Sequence, residues 1–277
     1  MSSDLKKRTV FGALFLVVMV GALMFEYGAL CLLIVIMAGT VNEFLDITLG
    51  KGTVRLQRIL AIIAGILLFA VMAFHCRNGI SLRWASLVLI PVLAIPMSFI
   101  FSGRIEQMDH LMPVYSALVY IALPIALCPF ILFIDGQYSW RLLLSFFILI
   151  WMSDTGAYCI GSMFGQKSGA RKLAPTISPK KSWWGFWGSI AFGVMTAVVL
   201  YFCSVLDFHL IHCAVLGIIV PAACVCGDLV ESMWKRRYGV KDSGNLIPGH
   251  GGFLDRFDSS LTAIPLASLY LLIFNLI

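Results

Sequence analysis

Residues Phe208–Arg237 read FHLIHCAVLGIIVPAACVCGDLVESMWKRR. The first twenty residues carry no acid, Lys or Arg, and a helix of that length crosses the roughly 30 Å hydrocarbon core of a bilayer. Two acids, Asp228 and Glu231, then appear before the run ends in Lys235, Arg236 and Arg237. An apolar block closed by a basic cluster marks a membrane helix reaching its cytoplasmic boundary. The acids at its end are more specific. An ionisable side chain deep in a span costs about 2.5–3.5 kcal/mol on insertion scales, so it needs a compensating role.

The rest of the 277-residue chain has the same character. It is 60% apolar and only 12% charged, with a mean hydropathy of +0.95. Soluble domains carry about 25% charged residues. That deficit excludes a soluble nucleic-acid binder, a disordered chain and a disulfide-stapled secreted module. The fold class expected is an all-α polytopic membrane protein. Further blocks between polar breaks give nine spans in all, at about 10–25, 27–47, 59–74, 85–101, 114–134, 142–163, 185–206, 208–230 and 263–277. No internal repeat or low-complexity segment stands out. Two regions are expected: 1–140, five anchoring spans with a possible lipid entrance, and 141–277, a catalytic region with loops 164–184 and 231–258. The N-terminal MSSDLKKR lacks a small-residue cleavage site before the apolar run continues, so it does not read as a removed signal peptide.

Charge distribution sets the orientation. With the N-terminus inside, the inner segments hold Lys6, Lys7, Arg8, Lys51, Arg55, Arg58, Arg104, Lys167, Arg171, Lys172, Lys180, Lys181, Lys235, Arg236, Arg237, Lys241 and Arg256. The outer loops hold only Arg77, Arg83 and Arg141. This bias predicts nine spans, a cytoplasmic N-terminus and a cytoplasmic active face. Eight Cys are present without a CxxC pair, and six of them (Cys31, Cys128, Cys159, Cys203, Cys224 and Cys226) lie in apolar stretches. They read as small apolar side chains rather than a disulfide framework.

If the block at 208–230 stays helical, Asp228, Glu231, Ser232 and Lys235 share one face, at i, i+3, i+4 and i+7. Asp228 has no adjacent base and reads as functional, whereas Glu231 has Lys235 at i+4 and reads equally well as a helix-end pair. Asp154, inside WMSDTGAYCIG, reads as functional or as part of a polar helix contact with Ser153 and Thr155. Glu43 and Asp46, at the inner end of the second span, read as partners for nearby bases.

The run from Ser232 to Asp258 has the parts of a polyphosphate site. Lys235, Arg236, Arg237 and Lys241 supply fixed positive charge for phosphate oxygens. Gly244, Gly249, Gly251 and Gly252 let backbone N–H groups approach an anion. Asp228, Asp242, Asp255 and Asp258 offer hard oxygen ligands suited to Mg²⁺. His250 can donate to phosphate, carry a proton or make a structural hydrogen bond. No Walker A loop is present, nor the DGxxAR run of the CDP-alcohol phosphotransferases.

The stretch SMWKRRYGVKDSGNLIPGHGGFLDRFD, Ser232–Asp258, resembles the signature of the phosphatidate cytidylyltransferases, or CDP-diacylglycerol synthases. Ser232, Lys235, Arg236, Lys241, Asp242, Gly244, Pro248, His250, Gly251, Gly252, Asp255, Arg256 and Asp258 meet the pattern. SDTGAY (153–158), FG (164–165), ISPKKS (177–182) and GDLVES (227–232) resemble further family segments in the right order. Trp184 departs from it, standing where the family usually has an acid. Trp234, where an aliphatic residue is commoner, is a milder change.

The resemblance implies CMP transfer from CTP to phosphatidate, giving CDP-diacylglycerol and pyrophosphate. It implies Asp228 and Asp255 as metal ligands with Asp258 as a third, and Mg²⁺ as cofactor with a second metal ion left open. Lys235, Arg236, Lys241 and Arg256 would contact the triphosphate. Ser178, Lys180 and Lys181 would bind lipid phosphate or CTP, Asp154 would shape the buried end of the site, Ser232, Gly251 and Gly252 would bind substrate, and His250 would be catalytic with Asp228, Asp255, Lys235 and Lys241. It further implies a homodimer in a bacterial-type inner membrane, with CTP, phosphatidate and the bilayer as partners and no nucleic acid. A CTP-dependent polyprenol-type lipid kinase and an anionic-lipid transporter are the competing readings.

Overall fold

The computed structural model describes residues 3–101, 103, 105–244 and 251–277. Arg104, Pro248, Gly249 and His250, all named above, lie outside the described residues. The chain is an all-α polytopic membrane protein. Seven helices among the described residues are long and apolar enough to cross a bilayer, and Val10–Leu23 is a shorter apolar helix. The chain divides into two compact units: Met1–Trp140 with Tyr238–Arg256, and Arg141–Arg237 with Phe257–Ile277. The described residues of 238–256 thus belong with the N-terminal unit, and the loop expected at 231–258 is helical at both ends, in Leu210–Arg237 and Leu254–Ile273.

The first unit contains α1 (Ser3–Leu23), α2 (Glu26–Leu49) and α3 (Arg55–Asn78). A further apolar rod, Leu82–Phe101, comprises a 3₁₀ segment and α4 (Leu89–Phe101). The next, Gln107–Leu132, is interrupted. It contains α5 (Leu111–Ala117), a π-helical turn at Leu118–Ala122, α6 (Leu123–Ala126) and α7 (Pro129–Leu132). Pro113, Pro124 and Pro129 remove backbone donors along it, which explains why so apolar a run does not continue as one helix. A two-residue hairpin, β1 (Phe133–Ile134) and β2 (Gln137–Tyr138), turns the chain at Asp135-Gly136.

Phe44, Phe69, Phe99, Met37, Ile95 and Ile121 are fully buried in this unit. Several polar groups inside it pair with one another, as lipid cannot supply partners. Gln57 donates to Ser98 Oγ at 2.8 Å, and Arg58 pairs with Asp46 at 2.7 Å while donating to the Asn42 carbonyl at 3.1 Å. Many large apolar side chains lie exposed along the rods, including Val17, Ile90, Phe101 and Val119, as a lipid-facing surface requires.

The second unit contains α8 (Trp140–Phe164), the antiparallel hairpin β3 (Lys172–Ala174) and β4 (Ser178–Ser182), α9 (Trp183–Phe202), α10 (Leu210–Arg237) and most of α11 (Leu254–Ile273). The loop expected at 164–184 is therefore largely a β-hairpin. Small residues bring its helices together. A Cβ on Gly188 of α9 would lie 2.7 Å from the Gly156 carbonyl of α8. A Cβ on Gly227 of α10 would lie 2.6 Å from the Asp258 carbonyl of α11, and Thr262 donates to the Ala223 carbonyl at 2.8 Å.

Gly188→Ala should therefore destabilise the protein by about 1–3 kcal/mol through overpacking. Gly21→Ala, where an added Cβ meets nothing within 4 Å, should leave melting unchanged. Thermal unfolding of the purified variants in one detergent checks the contrast.

Candidate active site

α10 is continuous to Arg237, so the face read from the sequence exists. Asp228, Glu231, Ser232 and Lys235 stack along it over two turns. α11 brings Asp258 to the same place. One ligand oxygen each from Asp228, Glu231 and Asp258 lies within 4.8 Å of the others. Glu231 is only 1% exposed and Asp258 9%, while the Asp228 side chain is 42% exposed. The group has a buried floor and an open side.

Two lysines answer this negative charge. Lys235 Nζ lies 2.6 Å from Glu231 Oε2, one turn along the same helix. Lys181 Nζ, from β4, lies 2.6 Å from Asp228 Oδ2. Asp228 Oδ1 also accepts from the Ser232 hydroxyl at 3.3 Å. In so dry a setting unopposed carboxylates would repel strongly, and each cation offsets part of that cost. Three hard oxygen donors thus stand beside two ammonium groups. That donor set fits a divalent cation such as Mg²⁺ or Mn²⁺.

The hairpin that delivers Lys181 is anchored from both sides. Lys172 Nζ donates to the Gly165 carbonyl and to Gln166 Oε1, both at 2.9 Å, and Gln166 donates to the Lys180 carbonyl at 2.9 Å. Arg236 Nε, at the end of α10, donates to the Ile177 carbonyl at 3.3 Å. Ser182 caps α9, its Oγ accepting from Gly185 N at 3.2 Å. Trp184 packs against Phe164 with ring centroids 5.5 Å apart, so an aromatic contact occupies the position where the signature normally has an acid.

The remaining expected residues divide in their placement. Lys180, Arg236, Lys241 and Arg256 are exposed, and Ser178 is half-buried. Asp154 is exposed on α8, within electrostatic reach of Asp258. Its neighbours Ser153 and Thr155 donate to carbonyls of their own helix, Ile150 and Trp151. Asp255 belongs to the first unit. Its Oδ2 accepts from Ser243 N (2.9 Å), Ser243 Oγ (2.8 Å) and Gly252 N (2.9 Å). The third acid clustered with Asp228 and Asp258 is Glu231, which is not among the metal ligands that the resemblance implies. The i+3 spacing from Asp228 was the available signal, and the Lys235 pair read from sequence is also present.

The signature positions thus include an acid trio with counter-charges from a basic hairpin. Over residues 6–274 the chain matches the model of the cytidylyltransferase family. The chain belongs to that family. It is 38% identical over 201 residues to the phosphatidate cytidylyltransferase of Haemophilus influenzae, covering 70% of this chain and 66% of that protein. It is 43% identical over 129 residues to the Staphylococcus aureus protein of that name, covering 46% of this chain and 47% of the other. With the Bacillus subtilis protein of that name it shares 41% identity over 128 residues, 46% of each. These alignments span from about half to just under two thirds of the relatives' length.

Mn²⁺ titration followed by electron paramagnetic resonance tests the trio without any turnover. Glu231→Gln and Asp258→Asn should each weaken binding at least about tenfold, the loss expected for one charged ligand contact. Lys181→Met, which frees Asp228 Oδ2, should tighten it.

Proposed function

We propose that this cytidylyltransferase-family protein is a phosphatidate cytidylyltransferase, moving CMP from CTP to phosphatidate and releasing pyrophosphate. The observation that carries the reading is the pairing of Lys181, from the basic hairpin, with Asp228 of the acid trio. It puts anion-binding and cation-binding groups side by side, as a reaction between two polyanions requires. The chain's likeness to proteins of that name supports the same conclusion.

The chemistry needs little from a general base. A phosphatidate phosphate oxygen, already ionised, attacks the α-phosphorus of CTP. A new P–O–P linkage forms as the bond to the β-phosphate oxygen breaks, and pyrophosphate leaves with the electron pair. The barrier is largely repulsion and misorientation. Lys235, Arg236, Lys241 and Arg256 are assigned to hold the triphosphate, with Arg able to engage two oxygens at once. Ser178, Lys180 and Lys181 are assigned to lipid phosphate or CTP, Asp154, exposed on α8, to the wall of the site, Ser232, Gly251 and Gly252 to substrate binding, and His250 to catalysis. Mg²⁺ is the proposed metal, held by Asp228, Asp258 and Glu231, with Asp255 retained as a ligand on the strength of the signature; when bound it neutralises charge on the triphosphate.

Nine spans with a cytoplasmic N-terminus and a cytoplasmic reaction face follow from the basic-residue bias. An inner-membrane homodimer completes the proposal.

Purified protein given CTP, phosphatidate and Mg²⁺ should form lipid-linked cytidine and pyrophosphate. CTP labelled in the cytidine ring should leave its label in the lipid. Label retained only from the γ-phosphate would indicate a lipid kinase, and no magnesium-dependent turnover would favour transport. Asp228→Asn and Asp255→Asn should each abolish transfer while leaving membrane insertion intact. Substantial magnesium-dependent activity in Asp255→Asn would remove Asp255 from the ligand set.

A further inference from the structure

Glu43 lies in α2 and read from the sequence as a partner for a nearby base. Its neighbour Asp46 has one, Arg58. Glu43 is used differently: its Oε2 accepts from the Leu254 backbone N–H at 2.9 Å and from the Ser243 hydroxyl at 3.1 Å. Leu254 is the first residue of α11. The opening N–H groups of a helix have no partner within it, and a carboxylate there both satisfies a donor and opposes the helix dipole. A side chain more than 200 positions away in sequence caps α11.

The same contacts govern Asp255. The Ser243 hydroxyl that reaches Glu43 also reaches Asp255 Oδ2 at 2.8 Å, and Asp255 N–H donates back to Ser243 Oγ at 3.2 Å. A hydroxyl carries one proton, so Ser243 serves one carboxylate at a time. The Leu254 N–H does not depend on that choice and remains with Glu43. Three signature glycines make room for the arrangement. A Cβ on Gly244 would sit 2.6 Å from Glu43 Oε1, and one on Gly252 would run into Glu43 Oε2. Gly251 has φ +83°, and a Cβ there would lie 2.5 Å from Asp255 Oδ2. One turn before Glu43, Gly39 leaves space for the Phe253 ring, whose Cδ2 would be 2.5 Å from a Cβ at that position. Gly39 and Glu43 therefore fix successive residues, Phe253 and Leu254, immediately before Asp255.

We infer that Glu43 is a positioning residue for Asp255, setting that carboxylate by capping α11 from α2 and sharing Ser243 with it. The catalytic part of this inference rests on the proposed cytidylyl transfer; the capping part does not. The role needs an acceptor oxygen of the right reach, not a negative charge. Glu43→Gln keeps such an oxygen, whereas Glu43→Ala removes it.

The test uses the full chain in lipid nanodiscs, with hydrogen exchange over 243–255 and steady-state kinetics measured on the same samples. Glu43→Ala should speed exchange at Ser243, Gly252 and Leu254 at least about tenfold, the weight of a hydrogen bond to a charged group. It should lower kcat roughly 10- to 100-fold, as a displaced reacting group does, while KM for CTP stays within about threefold. Glu43→Gln should keep most of the parent's protection and kcat. Gly252→Ala should be severe in the parent, but should add little to Glu43→Ala, because the carboxylate it strikes is gone. Faster exchange with unchanged kcat would overturn the positioning role, as would a Gln variant as impaired as Ala. Unchanged exchange in Glu43→Ala would overturn the cap itself. If the parent makes no lipid-linked cytidine, the cytidylyl reading and the catalytic part of the inference both fail, and the exchange contrast still decides the cap.

Discussion

Three carboxylates held within 4.8 Å of one another on membrane-associated helices are the feature most costly to keep. Their mutual repulsion is strengthened by the low dielectric around them, and water cannot reach Glu231 to relieve it. Much of the second unit supplies compensation. α10 provides Lys235 one turn beyond Glu231, and β4 provides Lys181 against Asp228. The close approach at Gly227 lets α11 bring Asp258 alongside. A cation is the remaining way to balance the group, so the arrangement that is expensive without metal is the one suited to bind it.

The first unit applies a related principle with hydrogen bonds in place of lysines. Glu43 and Asp255 accept from backbone N–H groups and from one serine, and the glycines of the signature allow the backbone close enough to donate. Glycine in such a motif is usually read as making room for a phosphate. Gly244, Gly251 and Gly252 first make room for the protein's own carboxylates.

Much of this was legible in the sequence because its signals are local. Seven of the nine expected span positions follow from uninterrupted apolar length, whereas 10–25 falls on a shorter apolar helix and 263–277 on α11, which is not among the seven; the polar face of α10 follows from helical spacing once the helix persists past Asp228. The basic hairpin was visible only as a loop, since alternation over three to five residues in SPKKS is too short to separate from a Pro-containing turn. Glu231 was underread because Lys235 offered a sufficient local explanation, and the trio forms only when α11 supplies Asp258. Glu43 was not recoverable: its partners Ser243 and Leu254 lie about two hundred positions away, and nothing periodic connects them.

The central claim is that Asp228, Glu231 and Asp258 together hold the metal that serves the nucleotide. Anomalous diffraction from crystals grown with CTP and Mn²⁺ tests it most directly. The account predicts a manganese peak with carboxylate oxygens of all three residues around it and triphosphate oxygens in the remaining positions. A peak that excludes the trio, with CTP bound elsewhere, would contradict it.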